Sequence, residues 1–167
     1  MKIFRSELEV GLKKKLFEIS SESMEEDSIR FYEDSIKCVI SSENSPHGYY
    51  LRGELNVPFL EQCDRCLIDY KMDHHIDFSI LLTDQRELVT GEEVDVVYFT
   101  EQQDFIDIAP VLLEYTMLDQ PLKNVCREDC KGLCPSCGCD LNEKDCNCSD
   151  ATNDPRWDKL KKLNKLK

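Results

Sequence analysis

Between Ser35 and Leu82, apolar and polar positions alternate in three successive runs. SIKCVISS, GYYLRGELNVPFLE and IDYKMDHHIDFSILL show period-2 alternation with β-branched and aromatic residues, the period of a half-buried strand. SENSPHG and QCDRCL separate the runs, so the pattern predicts a three-stranded antiparallel meander with Cys63 and Cys66 in its second turn. Residues 1–35 are charged and weakly patterned; RSELEVGLKKKLFEI fits either a strand or a short amphipathic helix. After the polar connection Thr83 to Glu93, VDVVYFT reads as a further short strand, with Asp104 to Asp107 expected to pair with it. The period then changes to that of a helix near 107–119, where Ile108, Val111, Leu112, Tyr115 and Leu118 share one face. Asp107 is the expected N-cap and Pro121 the stop. The expected fold is α+β: an antiparallel β meander or small barrel with one main helix and a zinc-ribbon-like C-terminal appendage.

Three regions follow: a β-rich body over 1–125, a cysteine-rich metal-binding appendage over 126–150, and a basic amphipathic tail over 151–167. Charge sharpens that division. The net charge is −13, but Arg156 to Lys167 holds six basic residues and one acid, which leaves −18 on the first 155 residues. So acidic a body repels phosphate backbones and suits a basic partner. The N-terminal stretch mixes charge with apolar residues and reads as no signal peptide, and no run approaches the about 18 apolar residues of a membrane span. A cytoplasmic location is expected, where thiols stay reduced.

That matters because the chain has ten cysteines, seven of them between Cys126 and Cys148. In a reducing compartment such density points to metal or redox chemistry rather than to disulfides. Cys38 lies in a strand pattern and reads as a small buried apolar group, and Cys139 follows a completed CPSC turn and reads as spare. Eight cysteines remain in four short-spaced pairs: Cys63/Cys66, Cys126/Cys130, Cys134/Cys137 and Cys146/Cys148. Eight thiolates make two tetrahedral sites, each with sulfurs about 2.3 Å from zinc. CPSCG is the most specific pair, since Pro135 presets φ for a tight turn and Gly138 accepts φ > 0 after the second ligand. Cys146 and Cys148 are its nearest completion, which leaves Cys63/Cys66 to join Cys126/Cys130. Cys126/Cys130 with Cys134/Cys137 is the alternative pairing.

The rivals fit less well. Cys130-x-x-x-Cys134-x-x-Cys137 has the spacing of a radical-enzyme iron–sulfur site, but 167 mainly β residues do not build the barrel that surrounds one. A thiol-exchange pair wants a helix N-terminus in a βαβ setting, whereas CDRC lies between two strands. Catalytic zinc keeps an open position, usually with histidine or carboxylate ligands. His47, His74 and His75 do not share the cysteine spacing and read as surface residues. With no Gly-rich phosphate loop and no carboxylate pair placed for acid–base work, the chain is not expected to be an enzyme or to take a small-molecule substrate.

CDRCL, a helix ending in LDQPL, C-x-x-x-C-KGLCPSCG-x-x-LN, a C-x-C and DPRWDKLKKL, in that order, resemble the YceD family over residues 45–167. The resemblance implies a non-enzymatic bacterial or plastid protein supporting accumulation of 23S rRNA and assembly of the large ribosomal subunit. It implies a large-subunit precursor, 23S rRNA or a basic ribosomal protein such as bL32 as partner. Some members keep only the CxxC turn and the first pair after the helix, which implies one site of Cys63, Cys66, Cys126 and Cys130 and another of Cys134, Cys137, Cys146 and Cys148. One or two Zn2+ ions are the expected cofactor. In the tail, Arg156, Lys159, Lys161, Lys162, Lys165 and Lys167 would supply phosphate contacts and Trp157 a stacking surface, or Trp157 and the leucines would dock the tail on the body. Zinc buffering, thiol redox chemistry, or protein interaction without RNA contact are the alternative functions.

Overall fold

A computed structural model describes residues 1–24, 29–89 and 95–148. The basic tail, with Arg156, Trp157, Lys159, Lys161, Lys162, Lys165 and Lys167, lies outside the described residues. The chain divides into two compact units, Met1–Gln62 with Asp69–Asn124, and Cys63–Ile68 with Val125–Lys167. The CDRC turn thus groups with the later cysteines, although in the chain it interrupts the meander.

In the first unit, β2 (Lys15–Ser20), β3 (Ser35–Ser45), β4 (Gly48–Gln62) and β5 (Asp69–Thr83) form the antiparallel run, preceded by β1 (Lys2–Phe4) and α1 (Arg5–Val10). β6 (Asp95–Tyr98) adds to β5 in parallel, giving the order β2-β3-β4-β5-β6. The two ends of that order are not paired to one another, so the sheet is open and the barrel alternative does not hold among the described residues.

The predicted alternation delivers the core. Ile36, Cys38 and Ile40 of β3, Leu51, Leu55, Val57 and Phe59 of β4, and Ile76, Phe78, Ile80 and Leu82 of β5 are all buried. At the one gap, Gly53 stands opposite Ile40 and Phe78. A Cβ on Gly53 would lie 2.5 Å from both the Phe78 ring and the Val39 carbonyl oxygen, so the ring covers the glycine directly. Pro58 is tolerated in β4 because it lies beyond the β3 pairing, where its carbonyl accepts the Tyr32 N–H.

Three expectations need correction here. First, β7 (Phe105–Asp107) pairs with β1 through Ile3 and Ile106, not with β6. Second, because that strand runs to Asp107, α2 starts later, at Ala109–Asp119, with Ile108 as its cap residue. Asp107 still accepts the Ala109 N–H from one position further out, and Pro110 occupies the first turn, where it sacrifices no helical bond. The face buried by α2 is Ile108, Ala109, Leu112 and Thr116, while Leu118 is 85% exposed. Thr116 enters the core because its hydroxyl donates to the Leu112 carbonyl. Tyr115 reaches the edge of β5, where its hydroxyl donates to Ser79 O and accepts from Ser79 N. Third, His74 is not a surface residue: its side chain is 10% exposed, edge-on to Phe59, with Nδ1 2.6 Å from Asp119.

Candidate metal centre

In the second unit, CDRC folds as a tight turn. Cys63 N–H donates to the Ile68 carbonyl and Leu67 N–H to the Cys63 carbonyl, with Leu67 in the left-handed region. Such a turn aims amides at the first sulfur. Burial would push the Cys63 thiol up, but the backbone amides of Cys126, Cys66 and Arg65 outweigh it and hold the thiol at about 6. Arg65 fixes the far side: its guanidinium donates to the Cys130 carbonyl at 2.8 Å, and its own carbonyl accepts the Leu133 N–H at 2.9 Å. Gly132, at φ +76°, passes so close that a Cβ would meet Arg65 O at 2.8 Å.

These contacts bring Cys63, Cys66, Cys126 and Cys130 together, all four sulfurs within 4.8 Å of one another. Cys63 and Cys130 sulfurs are 3.9 Å apart and those of Cys66 and Cys126 3.7 Å. A tetrahedron of sulfurs about 2.3 Å from a central ion has edges of about 3.8 Å, so the set fits a tetrahedral metal. Of the two pairings open from the sequence, this grouping joins the turn to Cys126/Cys130.

CPSCG folds in the same way. Gly138 N–H donates to the Cys134 carbonyl with Gly138 at φ +72°, and Ser136 N–H points at Cys134 Sγ from 3.4 Å. The Cys137 and Ser136 amides hold the Cys134 thiol at about 6. Here the gathered set is Cys134, Cys137, Cys139 and Cys146, again within 4.8 Å. Cys139, read as spare, is in the group because Cys134 N–H donates to the Cys139 carbonyl at 2.8 Å, folding the chain back. The run C-x-x-C-x-C was the available signal. Cys148 is exposed and outside the set, yet it adjoins Cys137 and Cys134: contact with Cys137, together with burial, pushes its thiol up to about 12. Five thiols therefore lie about this turn.

The electrostatics match a cation site. Burial and neighbouring thiols push Cys126 up to about 12, and contact with Cys137 and burial do the same to Cys139. Each group thus favours one thiolate and resists the next, as like charges at one spot must. A divalent ion reverses that preference and holds every ligand deprotonated. The donor set suits a metal that binds four sulfurs tetrahedrally. Glu54, His75 and Asp77 also converge, across β4 and β5, but all three are exposed and His75 pairs with Asn56.

Among the described residues, no helix is long and apolar enough to cross a membrane. No solved structure matches the chain. Proteins of Mycobacterium bovis and of two strains of Mycobacterium tuberculosis, each called an uncharacterized protein, are 30% identical over 120 residues. The match covers 71% of this chain and 56% of each relative, so the chain spans little more than half their length. Residues 51–164, from the core of β4 through both cysteine groups, match the family described as large ribosomal RNA subunit accumulation protein YceD, and the chain belongs to that family.

Proposed function

We propose that this chain is a non-enzymatic cytoplasmic factor supporting accumulation of 23S rRNA and assembly of the large ribosomal subunit, with structural zinc in both cysteine groups. The family match over residues 51–164 carries the reading. The division of charge supports a mode of action: −18 on residues 1–155 suits a basic ribosomal protein, bL32 being one candidate, while the net +5 of residues 156–167 suits rRNA phosphates. Zinc is favoured over other metals because all-sulfur tetrahedral sites select zinc or iron–sulfur centres, and two closed four-cysteine sets are the pattern of structural zinc.

Depletion of the protein should lower 23S rRNA and mature large subunits relative to small subunits, and the tagged protein should sediment with large-subunit precursors. Unchanged 23S rRNA on depletion would sink the reading. The Cys63 and Cys134 thiols, both held at about 6, favour thiol redox chemistry as a second reading. Native mass spectrometry separates the two: stoichiometric zinc that shields the cysteines from alkylation supports the first, and metal-free reactive thiols the second.

A further inference from the structure

Segment 130–134 carries a cysteine of the first group at one end and of the second at the other. Its middle is paired to the loop that follows Cys139. Leu133 bridges to Asp140 and Leu141 N–H donates to the Gly132 carbonyl. From this loop, which lies between Cys139 and Cys146 of the second group, Asn142 reaches back to the first. Its Nδ2 donates to Cys130 Sγ at 3.5 Å.

The amide is fully committed. Its Oδ1 accepts the Lys131 N–H at 2.8 Å, which fixes which end of the amide faces the sulfur. The second Nδ2 hydrogen goes to Asp140 Oδ1 at 2.7 Å, and the Asn142 N–H donates to the same oxygen at 2.8 Å. A side chain with donors and acceptor all engaged is a positioned donor, of the kind that orients a metal-bound ligand from outside the coordination sphere. A hydrogen bond to a thiolate also lowers the charge the sulfur presents to its neighbours.

We propose that Asn142 is a positioning residue coupling the two cysteine groups: it donates to Cys130 of the first from the loop closed by the second, so that metal in the second tightens metal in the first. The inference rests on the reading of both groups as metal sites. Coupling is reciprocal in binding free energy, so the first site strengthens the second by the same factor.

The test uses the full chain, reduced, loaded with zinc or with cadmium as an NMR probe, in competition with a chromophoric chelator. Two cadmium resonances are expected, the first-site one identified by its loss in Cys63→Ser. Asn142→Ala should shift that resonance and weaken the first site about 10- to 100-fold. Asn142→Asp keeps the acceptor for Lys131 but loses the donor to sulfur, and should weaken it likewise. Opening the second site with Cys134→Ser/Cys137→Ser should weaken the first comparably, and adding Asn142→Ala to that variant should cost little more, because both changes remove one interaction. Two tightly held ions with a first site indifferent to Asn142→Ala would overturn the coupling alone, as would fully additive losses. A wild-type chain holding fewer than two ions would overturn the metal reading and the coupling together.

Discussion

Replacing Gly132 and Gly138 separately by alanine separates two costs that usually come mixed. Both glycines are left-handed, at φ +76° and +72°, so alanine at either position carries the same backbone penalty, about 1–2 kcal/mol. At Gly138 no described atom lies within 4 Å of the new Cβ. At Gly132 the Cβ would lie 2.8 Å from Arg65 O and 3.2 Å from Arg65 Cβ. That oxygen is not free to retreat, because it accepts the Leu133 N–H at 2.9 Å. Moving it breaks a hydrogen bond, about 1 kcal/mol, and shifts the Cys63–Cys66 turn that Arg65 belongs to. Gly138→Ala should therefore weaken zinc binding about tenfold, and Gly132→Ala by about a further tenfold, at 1.4 kcal/mol per decade. Chelator competition on the full-length variants measures both. If Gly138→Ala costs as much as Gly132→Ala, the close approach to Arg65 does not constrain the site and the reasoning fails.

Phe59, fully buried and stacked on Phe31, should cost about 3–5 kcal/mol when truncated to alanine, read by urea unfolding of the zinc-loaded chain; a loss under 1 kcal/mol would contradict its place in the core. The Tyr32 hydroxyl donates to the Asp73 carboxylate, which raises its pKa from 10.0 to about 12. The folded state favours the neutral phenol, so this contribution is complete below about pH 10 and is lost as pH rises through about 12. Tyr32→Phe should remove a tyrosinate that appears well above pH 10 in an alkaline ultraviolet titration. Burial pushes the Cys38 thiol up to about 12, so Cys38 should stay unlabelled by a thiol reagent in the folded chain and react only on unfolding. Chelation should abolish amide-exchange protection at Cys63–Ile68 and residues 125–148 while protection in the five-stranded sheet persists.

The parts of the fold that could be read from the chain are those where burial and period coincide. The runs of β3, β4 and β5 alternate because one face of each is buried, and a one-residue slip would carry Leu51, Leu55, Val57 and Phe59 together to the other face. The β1–β7 pairing is different: it joins two three-residue strands over a hundred residues apart and leaves no local pattern. On α2, counting apolar positions selected Leu118 and overlooked Thr116, because a hydroxyl that bonds back to its own helix is polar in composition but not in effect. Cysteine pairs counted along the chain likewise set Cys139 aside. What brings it into the group is a backbone hydrogen bond to Cys134, and that bond is a property of the folded turn.

The described residues of the second unit have few buried apolar side chains. Among its described residues, Cys63–Ile68 and 125–148, the buried ones are Cys63, Cys66, Cys130, Cys134 and Gly132. No leucine, isoleucine, valine or phenylalanine there is buried; Leu67 and Ile68 are 56% and 47% exposed. A segment this short cannot offset its ordering entropy, about 1–2 kcal/mol per residue for the backbone alone, without an apolar core. Bare thiols do not supply the difference, since each group favours one thiolate and resists a second. On the proposed reading, four-sulfur metal coordination would be a large stabilising contribution in place of an apolar core. If the proposed metal reading holds, the cysteine groups take the place in these described residues that Phe59 and its neighbours hold in the sheet, and their folding and metal binding should behave as one equilibrium.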